Sequence, residues 1–212
     1  MADRRDRGKP LVSVRVYVEG GGNARSTKDA CREGFRNLFT KIVPPESAPK
    51  VIASGGRQKA YQNFCDALRS HPDQTIMLLV DSEGPVNTGV WEHLRNRSGD
   101  EWNKPPDATE GQAHLMVQCM EAWFLADKDL LRGYYGQHFG RSALPRQPNV
   151  ELITKTDVEA SLRQATRKTI KGAYQKSSHA FALLALVDPA KVRAASAHAS
   201  RFFDALTRYC EK

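Results

Sequence analysis

The sequence predicts an α/β protein with a mainly parallel sheet flanked by helices, followed by a helical C-terminal part. Residues 12–19 alternate valine with more polar side chains, which is typical of a strand whose two faces differ. The segment TIMLLVDSEG, residues 75–84, contains a continuous apolar run, as expected for a central strand buried on both faces. Helical patterns separate these strands, and alternation of strand and helix builds parallel sheets with right-handed crossovers.

The elements of the sheet follow one another without interruption up to residue 84. The helix after the first strand carries Cys31, Phe35 and Leu38 at helical spacing, and the next helix buries Phe64 and Leu68 in the same way. The segments in chain order are a strand at 12–19, a helix at 26–42, a strand at 50–54, a helix at 58–70 and a strand at 75–84.

The second half of the chain is predicted to be mostly helical. Residues 84–110 are polar and irregular apart from a short helix at 88–97, and AHLMVQCM, residues 113–120, is predicted to be a fourth strand. Helices are predicted at 121–136, 157–172, 177–187 and 196–210. We expect residues 1–135 to form an α/β core and residues 136–212 to form a helical extension packed on it as one globular unit.

Composition narrows the classes of function. The chain has 212 residues, and 32 Lys and Arg against 24 Asp and Glu give a net charge of +8. A basic protein of this kind favours a polyanionic partner, usually nucleic acid. The four cysteines are widely spaced, so the spacing indicates neither a zinc site nor a disulfide framework. The charged N-terminus and the lack of a long apolar segment predict a cytoplasmic protein that does not bind a membrane.

Carboxylates follow two of the predicted strands. Glu19 ends the first strand, and Asp81 and Glu83 end the third, where open parallel sheets hold their ligands. If the two strands are neighbours, the three acids converge, and residues 81 and 83 point to the same side while the backbone stays extended. Three close carboxylates would repel one another unless a cation lies among them, and hard oxygen ligands suit Mg²⁺ or Mn²⁺.

The glycines beside these acids, residues 20–22 and Gly84, permit sharp turns and leave access to a metal. The stretch GGGNARST matches neither common phosphate-binding glycine pattern. The alternative for Glu19 and Asp81 is that they only end strands and cap the turns that follow.

Four further residues are candidates for the same site. Arg57 could hold a phosphate or be a solvated arginine, and Glu121 could add a carboxylate or favour the start of a helix. His114 could be a catalytic base, although a buried, hydrogen-bonded histidine is the plainer interpretation. Lys104 could reach a phosphate from a loop or be exposed to solvent.

A basic segment follows residue 162. It contains no acid, and residues 163, 167 and 171 would lie on one helix face if the helix continues that far. We expect this segment to bind the phosphate backbone of a nucleic acid or an acidic partner. Its cations are Arg163, Arg167, Lys168, Lys171 and Lys176.

The acidic pattern resembles a known family. Glu19-Gly20 after the first strand and Asp81-Ser82-Glu83-Gly84 after a later one resemble the Toprim pattern shared by topoisomerases, primases and overcoming-lysogenization-defect nucleases. Further phrases resemble a bacterial Toprim-related family of unknown function that is often encoded beside ABC-type or AAA-type ATPases. These phrases are VIASGGR, LLVDSEGPV, HLMVQCMEAWFLAD and HAFALLALVDP.

The resemblance covers nearly the whole chain, from about Val12 to Phe203, and carries roles onto the acidic residues. It implies that Glu19 is an acid/base or metal-ligand glutamate and that Asp81 and Glu83 bind the metal. The usual Toprim pattern is Asp-x-Asp, so Glu83 is a departure that leaves the number and spacing of metals open.

Two functions follow from these observations. The first is a Mg²⁺- or Mn²⁺-dependent nuclease that hydrolyses DNA or RNA. The second is a non-catalytic subunit that keeps the fold and docks on an ATPase. The resemblance further implies an ATPase partner and a role in antiviral defence against phage.

Overall fold

The structure, a computed structural model, describes residues 13–210 and contains one four-stranded sheet whose strands are all parallel. The strand order is β2-β1-β3-β4, which places β1 and β3 next to each other inside the sheet. The predicted α/β class and the parallel sheet are therefore confirmed. The strands are β1 (Val14–Val18), β2 (Lys50–Ala53), β3 (Thr75–Asp81) and β4 (Ala113–Met116). Val12, which the sequence pattern also assigned to the first strand, lies outside the described residues.

Helices cover both faces of the sheet. Val16 and Leu79 face a core shared with α1 and the helices after β4, whereas Leu78 and Val80 face α2 and α3. Each face is apolar because successive strand residues point to opposite sides. In the described part of the chain the α-helices are α1 (Arg25–Phe39), α2 (Arg57–Ser70), α3 (Val90–Asn96), α4 (Ala122–Ala126), α5 (Lys128–Tyr135), α6 (Lys155–Thr166), α7 (Lys176–Leu186), α8 (Pro189–Ala195) and α9 (Ala197–Cys210).

The C-terminal helices are part of the main core. Helix α7 packs along α1, and α9 packs against β4. Phe202 and Phe203 of α9 are fully buried in the same cluster as Val16 and Phe35. None of the helices in residues 13–210 is both long and apolar enough to cross a membrane.

Several predicted elements differ from the observed ones in length or continuity. Strand β4 ends at Met116 rather than at residue 120, and the chain then leaves the sheet. The helix predicted over 121–136 is interrupted at Asp127, because the Asp127 side chain accepts a hydrogen bond from the Leu130 N–H and starts α5. Helix α8 was not predicted.

The helix predicted over 157–172 ends at Thr166. The Thr166 hydroxyl donates to the Leu162 carbonyl at 2.8 Å and accepts from the Tyr174 N–H at 2.7 Å, so the chain folds back after this residue. The predicted helix length is therefore wrong. The condition under which Arg163, Arg167 and Lys171 would line one helix face is not met, because the last two lie beyond the helix.

Candidate metal centre

Three carboxylates meet at the carboxyl edge of the two inner strands. Glu19 follows β1, Asp81 ends β3 and Glu83 lies two residues later, and one oxygen from each lies within 4.8 Å of the others. Pairing between β1 and β3 causes this convergence, because Val18 lies opposite Leu79 and the Glu19 N–H continues the ladder to the Leu79 carbonyl at 3.2 Å. The convergence expected from the strand ends is present.

Glu83 reaches the cluster by a different route from the one expected. Its backbone is in the left-handed region, with φ of 64°, so the chain is no longer extended there. The Glu83 N–H donates to the Gln118 carbonyl at 2.8 Å, which holds this turn against the segment after β4. A turn, rather than the two-residue period of a strand, brings Glu83 back toward Asp81.

Asp81 is the most buried member of the cluster. Its side chain is 4 % exposed, and Oδ1 accepts a hydrogen bond from the Met120 N–H at 2.8 Å. Burial raises the pKa of Asp81 to about 8 against the opposing charge of Lys176, and the neighbouring charges of Glu19 and Glu121 raise it further. Without a cation, the site therefore favours the protonated form of Asp81 around neutral pH.

Glu19 is held by two donors. Its Oε2 accepts from Arg57 Nη1 at 3.2 Å and from the Asp81 N–H at 3.4 Å. Burial raises the pKa of Glu19, Arg57 opposes this effect, and the charge of Glu83 adds to it. Glu19 is thus a positioned carboxylate whose surroundings raise its pKa, a perturbation that is common at functional sites.

Arg57 is occupied by protein groups rather than open to solvent. Its Nε and Nη2 donate to the buried carboxylate of Asp100 at 2.5 to 3.0 Å, and Nη1 also donates to the Asp81 carbonyl. The guanidinium lies 4.9 Å from the centre of the Trp102 ring. This bidentate pair fixes Arg57 beneath Glu19, so its geometry is that of a positioning residue.

Two lysines from the C-terminal helices enter the cluster. Lys155 Nζ lies 2.7 Å from both carboxylate oxygens of Glu83. Burial alone would lower the pKa of Lys155, but the hydrogen bond and charge of Glu83 raise it. Lys155 was not predicted, since a single lysine at the start of a helix carries no signal in the sequence.

Lys176 belongs to this cluster as well as to the basic segment. Its half-exposed side chain places Nζ 3.8 Å from Asp81 Oδ2 and 3.2 Å from Glu121 Oε1. Glu121 is fully buried and also accepts a hydrogen bond from the Tyr174 hydroxyl at 3.1 Å. Glu121 is therefore linked to the three carboxylates by Lys176, which contacts both Glu121 and Asp81.

His114 and Lys104 make contacts of a different kind. His114 is buried, its Nε2 lies 3.0 Å from the Gly111 carbonyl oxygen, and its ring packs 5.1 Å from that of Phe202. Burial lowers the pKa of His114 to about 4, so the imidazole is neutral at physiological pH. Lys104 forms an exposed ion pair with Glu110 at 2.6 Å. These contacts agree with the interpretation of His114 as a buried, hydrogen-bonded histidine and of Lys104 as a solvent-exposed lysine.

The remaining cations of the basic segment are exposed but differ in their contacts. Arg163 on α6 lies 3.6 Å from Glu159, one turn earlier. Lys171 lies 4.9 Å from the centre of the Tyr134 ring. Arg167 and Lys168 are exposed in the loop that follows α6, beside an Ile170 that is 94 % exposed. Arg167, Lys168 and Lys171 thus present their charges from a loop, whereas Arg163 lies on α6 and Lys176 begins α7.

The donor set suits a hard divalent cation. Neighbouring oxygens on an octahedral Mg²⁺ lie roughly 3 Å apart, given bonds of about 2.1 Å. The three carboxylate oxygens lie within 4.8 Å of one another, so the side chains would move closer together to share one ion. Glu19, Asp81 and Glu83 would hold such an ion, and the protein leaves part of its coordination sphere to water or substrate.

Comparison with known proteins gives one match. The model of the family described as "Domain of unknown function (DUF4276)" matches residues 18–207, which include all three carboxylates and every helix from α1 to α8. No curated protein and no solved structure matches the chain.

Proposed function

The chain belongs to the DUF4276 family, and we propose that it is a Toprim-like nuclease in the cytoplasm. It would use Mg²⁺ or Mn²⁺ to hydrolyse phosphodiester bonds of DNA or RNA. One observation carries the proposal. Glu19, Asp81 and Glu83 come from two neighbouring strands and place an oxygen each within 4.8 Å of the others.

The electrostatics of the cluster support a metal. Asp81 and Glu19 are both held in surroundings that disfavour their charge, and such an arrangement is costly to maintain for stability alone. When bound, a divalent ion would activate a water molecule and stabilise the leaving oxygen of a phosphodiester.

The protein groups have separate tasks in this proposal. Glu19, fixed through Oε2 by Arg57, would accept a proton, and Glu83 is kept in place by Lys155. Lys176 stands between Asp81 and Glu121 with half of its side chain exposed, so its ammonium group can neutralise a substrate phosphate. The exposed Arg167, Lys168 and Lys171 supply further contacts with the phosphate backbone of the nucleic acid.

A second function is favoured by one feature of the same cluster. Lys155, Lys176 and Arg57 already pair with its carboxylates, so these acids have partners without any metal. A non-catalytic subunit that docks on an ABC-type or AAA-type ATPase would keep such a cluster as a structural ion-pair network. The ATPase and a role in phage defence rest on the family resemblance of the sequence.

Carboxylate substitutions separate the two functions. Asp81→Asn and Glu19→Gln should each lower Mg²⁺- or Mn²⁺-dependent cleavage of mixed DNA and RNA by at least about a hundredfold, since even residues behind metal ligands affect activity by 10–100-fold. Glu110→Gln is the matched control, because Glu110 is an exposed carboxylate paired with Lys104. Cleavage is followed on labelled substrates, and circular dichroism checks the fold.

Metal binding gives a second readout that does not need turnover. Mg²⁺ should raise the thermal midpoint of the parent and of Glu110→Gln but not that of Asp81→Asn, because an ion that binds only the folded state stabilises it. A parent protein that cuts no nucleic acid, with or without an ATPase partner, and shows no metal-induced shift would contradict the nuclease proposal and leave the docking subunit.

A further inference from the structure

A cleft of about 370 Å³ opens beside the carboxylate cluster. Glu19, Asp81 and Lys176 lie at one part of its wall, and Met116, Met120 and Phe181 form an apolar part. Its size is near the lower end of the 300–1,000 Å³ that small-molecule sites occupy. The cleft therefore suits a small group that is apolar and attached to a charged one.

Part of the wall is bare backbone. Gly20–Gly22 and Gly55 line the cleft, and the Gly20 and Gly55 backbones are joined by two N–H to carbonyl bonds of 2.9 Å each. A Cβ at Gly20 would lie 3.2 Å from Cys31 Sγ and 3.4 Å from the Phe181 ring. Gly20 also has φ of +135°, a conformation that other residues rarely adopt. The glycines thus let the chain turn tightly next to Glu19 while keeping this wall free of side chains.

The charged and apolar parts together match one nucleotide. A nucleotide carries an anionic phosphate and a flat, largely apolar base joined by a sugar. A divalent ion at the carboxylate cluster and Lys176 would hold the phosphate. The adjacent base would then lie next to Phe181 and the small exposed parts of Met116 and Met120, which are 1 % and 3 % exposed. Methionine side chains adapt to flat ligands, and each base has a π-face that such a surface can contact.

The cleft offers few polar side chains that could identify a base. Thr27 lines it, but its hydroxyl already donates to the carbonyl groups of Gly21 and Ala24. Ser177 contributes an exposed hydroxyl. With so few free polar groups, discrimination among bases should be weak.

We propose that this cleft binds the base of a single unpaired nucleotide whose phosphate lies at the carboxylate cluster, so that the protein acts on single-stranded or unpaired positions of nucleic acid. A base inside the cleft cannot remain in a duplex, because pairing and stacking partners have no room there. The inference rests on the proposed nuclease function, since it places the phosphate at the metal centre.

The test uses a variant that blocks the cleft without disturbing the core. Ser177 lines the cleft and is exposed on α7, so Ser177→Trp adds a large side chain at its wall. Ser178→Trp is the matched control, because Ser178 is also exposed on the same helix but does not line this cleft. Thermal midpoints of both variants show whether they fold.

Binding is measured by fluorescence anisotropy in EDTA, so that no cleavage takes place, and again with Ca²⁺. The probes are a short single strand, the same strand with abasic sites, and its duplex. The parent and Ser178→Trp should bind the intact single strand roughly tenfold more tightly than the abasic strand or the duplex, and Ser177→Trp should lose this preference.

The outcomes distinguish the inference from the proposed function. Equal binding of intact, abasic and duplex probes by the parent, absence of binding, or an unchanged preference in a folded Ser177→Trp would each overturn the inference. Cleft-dependent binding without any cleavage in Mg²⁺ or Mn²⁺ would confirm the cleft and reject the nuclease. Cleavage by a protein that binds all three probes equally would support the nuclease and reject the cleft as a base-binding site.

Discussion

Asp81 shows how the fold alters one side chain. In the unfolded chain its pKa has an ordinary value near 4, whereas burial raises the pKa to about 8 in the folded, metal-free protein. Between these two values the folded state binds more protons than the unfolded state. The contribution of Asp81 to stability is therefore fully present below about pH 4 and is lost as pH rises through about 8.

Asp81→Asn should reveal this loss. An amide does not titrate, so in EDTA the free energy of unfolding of Asp81→Asn should rise relative to that of the parent as pH increases from 4 to 8. Urea denaturation at several pH values measures the difference. Mg²⁺ should also stabilise the parent more at pH 8.5 than at pH 6, because a protonated carboxyl is a poor ligand. A difference between the two proteins that stays constant with pH would show that Asp81 is not perturbed.

The sequence identifies the carboxylates of the site better than the residues that pair with the site. Glu19, Asp81 and Glu83 could be placed because each lies at or just after the end of a recognisable strand. Asp100 and Lys155 could not, since each lies in a loop or at a helix start where no periodicity indicates a direction. Lys176 was assigned to the basic segment, and only the tertiary fold brings it to Asp81.

At the scale of elements, the end of α6 decides how the basic segment is presented. Because α6 stops at Thr166, Arg167, Lys168 and Lys171 belong to a loop, while Arg163 remains on the helix beside Glu159. The three loop residues are thus better placed than Arg163 to bind phosphate groups, because Arg163 already lies beside an acid.

Replacing the three loop cations together by Gln should weaken nucleic-acid binding and flatten its dependence on salt. Each lost phosphate contact lowers the slope of log K against log salt by about 0.9 for duplex DNA. Arg163→Gln is the control and should change the slope less, since Arg163 already has an acidic neighbour. Titrations at four salt concentrations measure both slopes, and a triple variant with the parental slope would assign the loop to another partner.

Element existence was easier to predict than element length. Long amphipathic patterns identified α1, α2 and α9, because burial of one face sets a clear period. The end of α6 and the break at Asp127 depend on side-chain hydrogen bonds, Thr166 with Tyr174 and Asp127 with Leu130. Such bonds leave no mark on hydrophobic periodicity.

At the scale of the whole molecule, one core joins the sheet to the C-terminal helices. Val16 of β1, Phe35 of α1 and Phe202 of α9 belong to the same buried cluster. Strand order follows from the crossover rules only in part, since those rules allow several orders for four parallel strands. The neighbouring positions of β1 and β3, on which the site depends, were an assumption that the structure confirms.

The shared core should make unfolding a single transition. Thermal unfolding followed by far-ultraviolet circular dichroism, which reports helices, and by tryptophan fluorescence should give coincident curves, because Trp91 and Trp123 lie on opposite faces of one sheet. A fragment ending at residue 135 should lack this transition, since it would expose the surface that α7 and α9 cover. Two separate transitions in the intact chain would instead indicate independent domains.

The cleft is built from residues that are far apart in the sequence, so the ribosome makes its parts at different times. Glu19, Asp81 and Glu83 leave the ribosome before α7, which brings Lys176 and Phe181 to the cleft. At 5–20 residues per second, this interval lasts on the order of ten seconds. During that time the nascent chain has its acidic residues but lacks Lys176 and Phe181, so a nuclease of this design would have an incomplete cleft while it is still tethered to the ribosome and its messenger.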